Sequence, residues 1–312
     1  MPAALSALLP IFLLILLGYG LRKISFVPAE QWRGIELLCY WLLFPALLIV
    51  SLAKAELSFG ALRSYVYGLY AMIIVMSLLM WLARKPLRAW LDMRGPTYTS
   101  LYQTVTRWNG FIAMAIIEKL YGAPGVAILA LAFAVMIPYL NVVNILILAA
   151  YAGHTKPPAR MILMAVIKNP LILAVLTGLA INLSGLQPPA PVMTALELTG
   201  RGALGMTLLA LGASLQWRAV KAAGPEIGLS VILRLFGMPA VAVACGLLFG
   251  VSGTPLVVMV IAAAVPTAVN GYVLARAMGG DAEYYAAAAT AQVILSFATL
   301  PVWIWLAARL AG

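Results

Sequence analysis

Charge is in short supply. Only 9% of the 312 residues are Asp, Glu, Lys or Arg, 64% are hydrophobic, and the mean hydropathy is +1.04. A soluble globular domain carries about 25% charged residues, so a water-facing surface is excluded. Acidic residues are scarcest, nine against twenty basic ones. A single histidine, His154, leaves no HExxH pair and no imidazole cluster. Two cysteines, Cys39 and Cys245, stand isolated in apolar runs, where they read as small packing residues without disulfide or metal spacing. With no nucleophile–base pair and no metal-ligand set, the chain is not expected to be an enzyme, and no cofactor or metal is expected.

Long apolar runs are what the chain has. A bilayer crossing needs about 20 residues, and ten runs read as spans: 5–21, 34–53, 61–83, 98–120, 124–151, 161–183, 192–215, 226–250, 254–276 and 283–308. Their breaks carry proline, glycine or charge, as at Lys85-Pro86, Lys156-Pro157-Pro158 and Gln187-Pro188-Pro189. No length remains for a separate soluble domain. Alternate loops hold twelve basic residues (Arg22, Lys23, Arg33, Arg84, Lys85, Arg88, Arg94, Lys156, Arg160, Arg218, Lys221, Arg276) against four on the other side (Lys54, Arg63, Lys119, Arg309). Cytoplasmic loops are the basic ones, which puts both termini outside an inner membrane. The net charge of +11 is therefore topology and headgroup contact, not a nucleic-acid surface.

Within this pattern one phrase recurs. Asn109-Gly110-Phe111-Ile112 returns 161 positions later as Asn270-Gly271-Tyr272-Val273, each time inside an apolar run. Glycine weakens a helix, and an asparagine in lipid must find a partner within the protein. Five spans per half turn the second copy over, so residues 1–155 and 156–312 read as inverted repeats. Broken helices of two such repeats meet around a substrate site in many secondary transporters. Pro266, with Thr267, sits just before Asn270 and frees backbone carbonyls. The fourth span has no proline beside Asn109, so its break rests on Gly110 and is expected to be the shallower one. The plain alternative for each element is an ordinary packed kink.

Charge at membrane depth indicates the sign of the cargo. Arg107, Lys168 and Arg234 fall near mid-span, and intramembrane charge is a functional hypothesis by default. Arg107 lies beside Asn109 and can offer a carboxylate two parallel hydrogen bonds. Lys168 and Arg234 line the site, snorkel, or bond backbone carbonyls. Glu197 and Arg201 stand four apart and are expected to neutralise each other. Gln103, Thr104, Asn141, Asn144, Thr267, Thr290, Gln292 and Ser296 are further deep polar groups. Paired carboxylates for a sodium site or proton relay are missing, so coupling to protons, to sodium or to the membrane potential alone stays open. Trp81, Trp303, Trp305, Tyr284 and Tyr285 suit interfacial anchoring.

Ala263-Ala264-Val265-Pro266-Thr267-Ala268, Gly271-Tyr272-Val273-Leu274-Ala275 and Met278-Gly279-Gly280-Asp281 resemble the ninth helix of the auxin efflux carrier family. Leu9-Pro10-Ile11-Phe12, Lys168-Asn169-Pro170 and Leu211-Gly212-Ala213-Ser214-Leu215 are similar to it as well. The resemblance covers nearly the whole chain and extends to bacterial members regarded as malate and malonate permeases. It implies an all-α membrane protein of ten helices in two inverted repeats, with helices four and nine broken and crossing. It further implies a dimerising scaffold of helices one, two, six and seven, and a moving transport domain from the rest. By residue matching, Asn109 and Asn270 would hold an anionic substrate. One departure is Ala115, which stands where the family usually has a proline.

The expected function is a secondary transporter of a small organic anion, a dicarboxylate or an auxin-like aromatic acid, working by elevator-type alternating access. An anion channel or potential-driven uniporter is the alternative. Asn109, Asn270, Arg107, Gly110, Gly271, Pro266 and Thr267 are the expected substrate residues. Gln103, Asn141, Asn144, Gln292, Glu197, Lys168 and Arg234 are the polar lining or coupling candidates. The expected partners are the cargo, lipid and a second copy of the chain.

Overall fold

The computed structural model describes residues 2–55, 59–152, 158–186, 188–221, 224–269 and 271–312. His154, Lys156, Gln187 and Asn270 lie outside the described residues. Among those described there is no strand. The helices are α1 (Pro2–Lys23), α2 (Ala29–Leu38), α3 (Phe44–Ala53), α4 (Phe59–Leu82), α5 (Arg84–Trp90) and α6 (Gly95–Thr106), followed by α7 (Gly110–Tyr151), α8 (Ala159–Ile167), α9 (Pro170–Ser184), α10 (Ala190–Arg201), α11 (Ala203–Ser214) and α12 (Trp217–Lys221). The last five are α13 (Pro225–Ile232), α14 (Met238–Leu248), α15 (Gly253–Ala264), α16 (Gly271–Ala277) and α17 (Ala282–Leu310). Single π-turns, Cys39–Leu43 and Leu233–Gly237, join α2 to α3 and α13 to α14.

Six stretches among the described residues are long and apolar enough to cross a bilayer. The pair α8 and α9, bent by 50° at Lys168-Asn169, makes a seventh. Ten were expected, and the difference has a physical cause. Gly95–Tyr151 counts once, although its 57 residues are well over twice the roughly 20 that one crossing requires. It is interrupted at residues 107–109 and again at Gly122, whose backbone (φ +59°, ψ −153°) lies in a region that essentially only glycine adopts. The regions 192–215 and 254–276 are divided into α10 with α11 and α15 with α16, each piece too short to span alone.

Two packing groups stand out. α1 lies along α11, while α3 packs on α9 and α10. The second group joins α4, α6, α7, α13, α14, α15 and α17. Polarity is arranged as lipid demands. Leu9, Leu13 and Leu16 of α1, Leu78, Leu79 and Leu82 of α4, and Leu173 and Leu176 of α9 face outward. Gln103, Thr104, Asn109, Asn144, Arg234 and Gln292 are buried. The chain is a multi-pass membrane protein.

Two local expectations are corrected here. Glu197 does not pair with Arg201: its carboxylate accepts from Lys54 Nζ at 2.5 Å, because α3 and α10 pack together and bring the lysine closer. Trp303, partly buried, does not offer its indole N–H to headgroups, since it donates to the Leu235 carbonyl at 2.8 Å. Trp305 does stack under Arg309 at the surface, 4.2 Å from ring to guanidinium.

Candidate functional site

The site begins where two helices fail. α6 ends at Thr106, and Arg107 is extended at φ −72°, ψ 153°. Asn109 then starts α7, its side-chain oxygen accepting from the amides of Phe111 and Ile112 at 3.2 Å each. That is an N-cap, which satisfies donors left unpaired at a helix start. On the other side of the crossing, α15 ends at Ala264 and Val265 is extended. The breaks touch: the amide of Asn109 donates to the Pro266 carbonyl at 2.8 Å. The fourth span is therefore not shallowly kinked, as the missing proline suggested; it is fully opened across three residues. The asparagine cap and the exchange of a hydrogen bond with the other break replace proline as the cause.

Both glycines of the repeated phrase are set by close approach. A Cβ at Gly110 would stand 2.5 Å from the Phe133 ring, and one at Gly271 would stand 2.2 Å from the Tyr285 hydroxyl. Tyr285, fully buried, donates its one hydroxyl proton to the Ala268 carbonyl (2.5 Å) and accepts from Thr267 Oγ1 (3.0 Å). Its position near a span end suggests an interfacial anchor; buried, it is instead a strut beneath the ninth-span break. Gln292 joins both breaks. Its Oε1 accepts from the Thr267 amide at 2.9 Å and its Nε2 donates to the Thr104 carbonyl at 3.2 Å.

In front of the crossing lies a cavity of about 1230 Å³. Small-molecule sites occupy about 300–1000 Å³, so it is large enough for a site plus a vestibule. Arg107, Asn109 and Gly110 form its inner end, and Asn141, Lys168 and Asn169 line its flank. Arg107 holds its Nε on Gln103 Oε1 at 3.2 Å. Asn169 caps α9 through the amides of Leu171 and Ile172, so the N-terminal ends of α7 and α9 both border the cavity. Such ends carry partial positive charge. Trp108, Phe111, Phe133 and Tyr272 give aromatic walls, with Trp108 and Phe133 rings 4.9 Å apart. Arg22, Arg33 and Arg276, near helix ends, also belong to the lining, with Glu36 its one acidic residue. The lining thus includes basic residues that the sequence places on one side of the membrane.

The expected site residues divide. Arg107, Asn109, Gly110, Asn141 and Lys168 share the cavity. Gln103, Asn144, Thr267, Gly271, Arg234 and Gln292 are buried, and with Pro266 they lie outside its lining. Glu197 borders a separate recess of about 180 Å³ with Glu118 and Arg201. Sequence reasoning missed the aromatic walls, Asn169 as a cap, and these further arginines of the lining, which it had assigned to topology alone. The phrase Asn-Pro at 169–170, a cap followed by a first-turn proline, was the available signal for the α9 end.

A family model described as a membrane transport protein matches residues 3–304. The chain belongs to that family. It is the auxin efflux carrier family that the ninth-span motif resembles. Among relatives, a protein of Rhizobium meliloti (strain 1021), provisionally named a malonate transporter, is 25% identical over 96% of this chain and 94% of its own length. YfdV of Escherichia coli (strain K12), an uncharacterized transporter, is 22% identical over 96% of each chain. An uncharacterized transporter of Methanothermobacter thermautotrophicus is 23% identical over the same shares. The protein is a membrane transporter by family.

Proposed function

We propose that this transporter carries a small organic anion, a carboxylate, across the inner membrane, with its termini outside. The observation that carries the reading is the crossing itself: two opened helices joined at Asn109 and Pro266, with Arg107 and two helix N-termini facing a cavity whose lining holds further arginines. A guanidinium and helix N-termini suit a carboxylate. The provisional malonate name of one relative agrees with that class.

The cavity ends at a crossing where Val265 and Thr267 are fully buried, which favours a carrier over an open channel. We assign the first packing group, α1, α3, α9, α10 and α11, to a scaffold that pairs with a second copy. The second group would slide against it in an elevator movement. Ten helices in two inverted repeats, 1–155 and 156–312, with Asn270 matching Asn109, complete the proposal.

A thermal-shift screen of malonate, malate, indole-acetate and uncharged analogues tests it. Carboxylates should stabilise the parent, and both Arg107→Gln and Asn270→Ala should lose most of that shift. Equal stabilisation of all three proteins would put binding elsewhere and end the crossing-site reading.

A further inference from the structure

The crossing contains a cation that the cargo reading does not use. Arg234 stands in the π-turn between α13 and α14, and its side chain is fully buried. Its three nitrogens donate to three main-chain carbonyls: Nε to Val265 (2.8 Å), one Nη to Val105 (3.1 Å) and the other to Ala262 (3.2 Å). These carbonyls are orphaned by the two breaks. Val105 would ordinarily receive the amide of residue 109, which goes to Pro266 instead. Ala262 would receive the amide of residue 266, a proline that has none. Val265 lies beyond the last turn of α15. The C-terminal, electronegative ends of α6 and α15 therefore converge on one guanidinium.

No carboxylate takes part. Among the described residues the one ion pair is Lys54 with Glu197, on a different part of the molecule. Arg234 is balanced by carbonyl dipoles alone. In crossed-helix carriers, unwound carbonyls and half-helix C-terminal ends are where a coupling sodium ion is held. A guanidinium is charged at any physiological pH and is bonded to the chain, so it can neither dissociate nor cross. The π-turn serves this placement, since the extra residue in the turn re-aims the side chain relative to the helix before it.

We propose that Arg234 is a resident cation occupying the place of a coupling ion at the crossing, so that the crossing is assembled without sodium. It acts as a positioning residue, keeping the two half-helix ends together while Arg107 and Asn109 face the cargo. The transport consequence, sodium-independent movement, rests on the carrier reading; the cation itself can be tested with no cargo present.

The experiment is thermal unfolding of purified protein in sodium, lithium or choline chloride at equal ionic strength, and with low-millimolar guanidinium. The parent should melt alike in all salts. Arg234→Lys should melt several degrees above Arg234→Met, which has similar length but no charge. Arg234→Ala should fall furthest and recover selectively with sodium or guanidinium, while urea at the same concentration does nothing. A parent stabilised saturably by sodium would overturn the proposal. So would Arg234→Met equal to Arg234→Lys, or an Arg234→Ala protein that is destabilised and deaf to every cation, which leaves an ordinary packing strut. If Arg234→Ala does not fold, the Lys–Met difference and the parent's salt response still decide.

Discussion

At the level of single residues, Asn109 carries two tasks that substitution can separate. Its side-chain oxygen caps α7, and its position fronts the cavity. Losing a cap costs about 1 kcal/mol. Asn109→Asp keeps an acceptor for the Phe111 and Ile112 amides but brings a negative charge to a site meant for an anion. Its melting temperature should stay close to the parent's, while carboxylate-induced stabilisation drops at least tenfold in apparent affinity; unchanged affinity would remove Asn109 from the site. Gly110 offers a packing test. Gly110→Ala forces a methyl group 2.5 Å from the Phe133 ring and should cost about 1–3 kcal/mol. Adding Phe133→Leu should return much of that loss in a denaturation experiment, because the clash is with one ring and not with backbone.

At the level of elements, the sequence carried the positions of the breaks better than their depth. Pro266 marks the ninth-span break by itself, since it deletes one donor and blocks the turn before it. The fourth-span break has no such local mark. It is opened by tertiary partners: the Pro266 carbonyl that takes the Asn109 amide, Gln292 on the Thr104 carbonyl, and Arg234 on the Val105 carbonyl. A reading based on Gly110 and the alanine at 115 had no means of finding them. The same limit applies to Arg234, where the chain shows a buried charge but not which carbonyls receive it. Trp303 and Tyr285 failed for a related reason, because an aromatic near a span end looks the same whether its polar tip meets lipid headgroups or the Leu235 and Ala268 carbonyls. A direct consequence is that Pro266→Ala restores an amide able to pair with Ala262. Hydrogen exchange should then show protection extended past Ala264, with transport reduced at least tenfold. Unaltered exchange would mean that Arg234, not the proline, holds the break open.

At the level of the whole molecule, hydropathy made the membrane class legible, because it is summed over many residues. The cavity was not legible. Its walls come from α2, α7, α9, α11, α16 and α17, and no single segment carries its pattern. Under the proposed topology, with the basic loops cytoplasmic, the arginines of its lining would make this conformation the inward-facing one. Val273, an exposed residue of the cavity lining, reports on that. In a Cys39→Ala, Cys245→Ala background, Val273→Cys should react with an impermeant thiol reagent from the cytoplasmic side, and carboxylate should slow the reaction. Reaction only from the outside would reverse the orientation.

Uptake of radiolabelled malonate into proteoliposomes loaded with unlabelled malonate shows whether this protein is a carrier that binds a carboxylate at the crossing. A carrier working at this site gives saturable uptake driven by exchange, and Arg107→Gln abolishes it while the protein remains folded. Uptake that rises linearly with concentration, or that is the same in Arg107→Gln as in the parent, would contradict it.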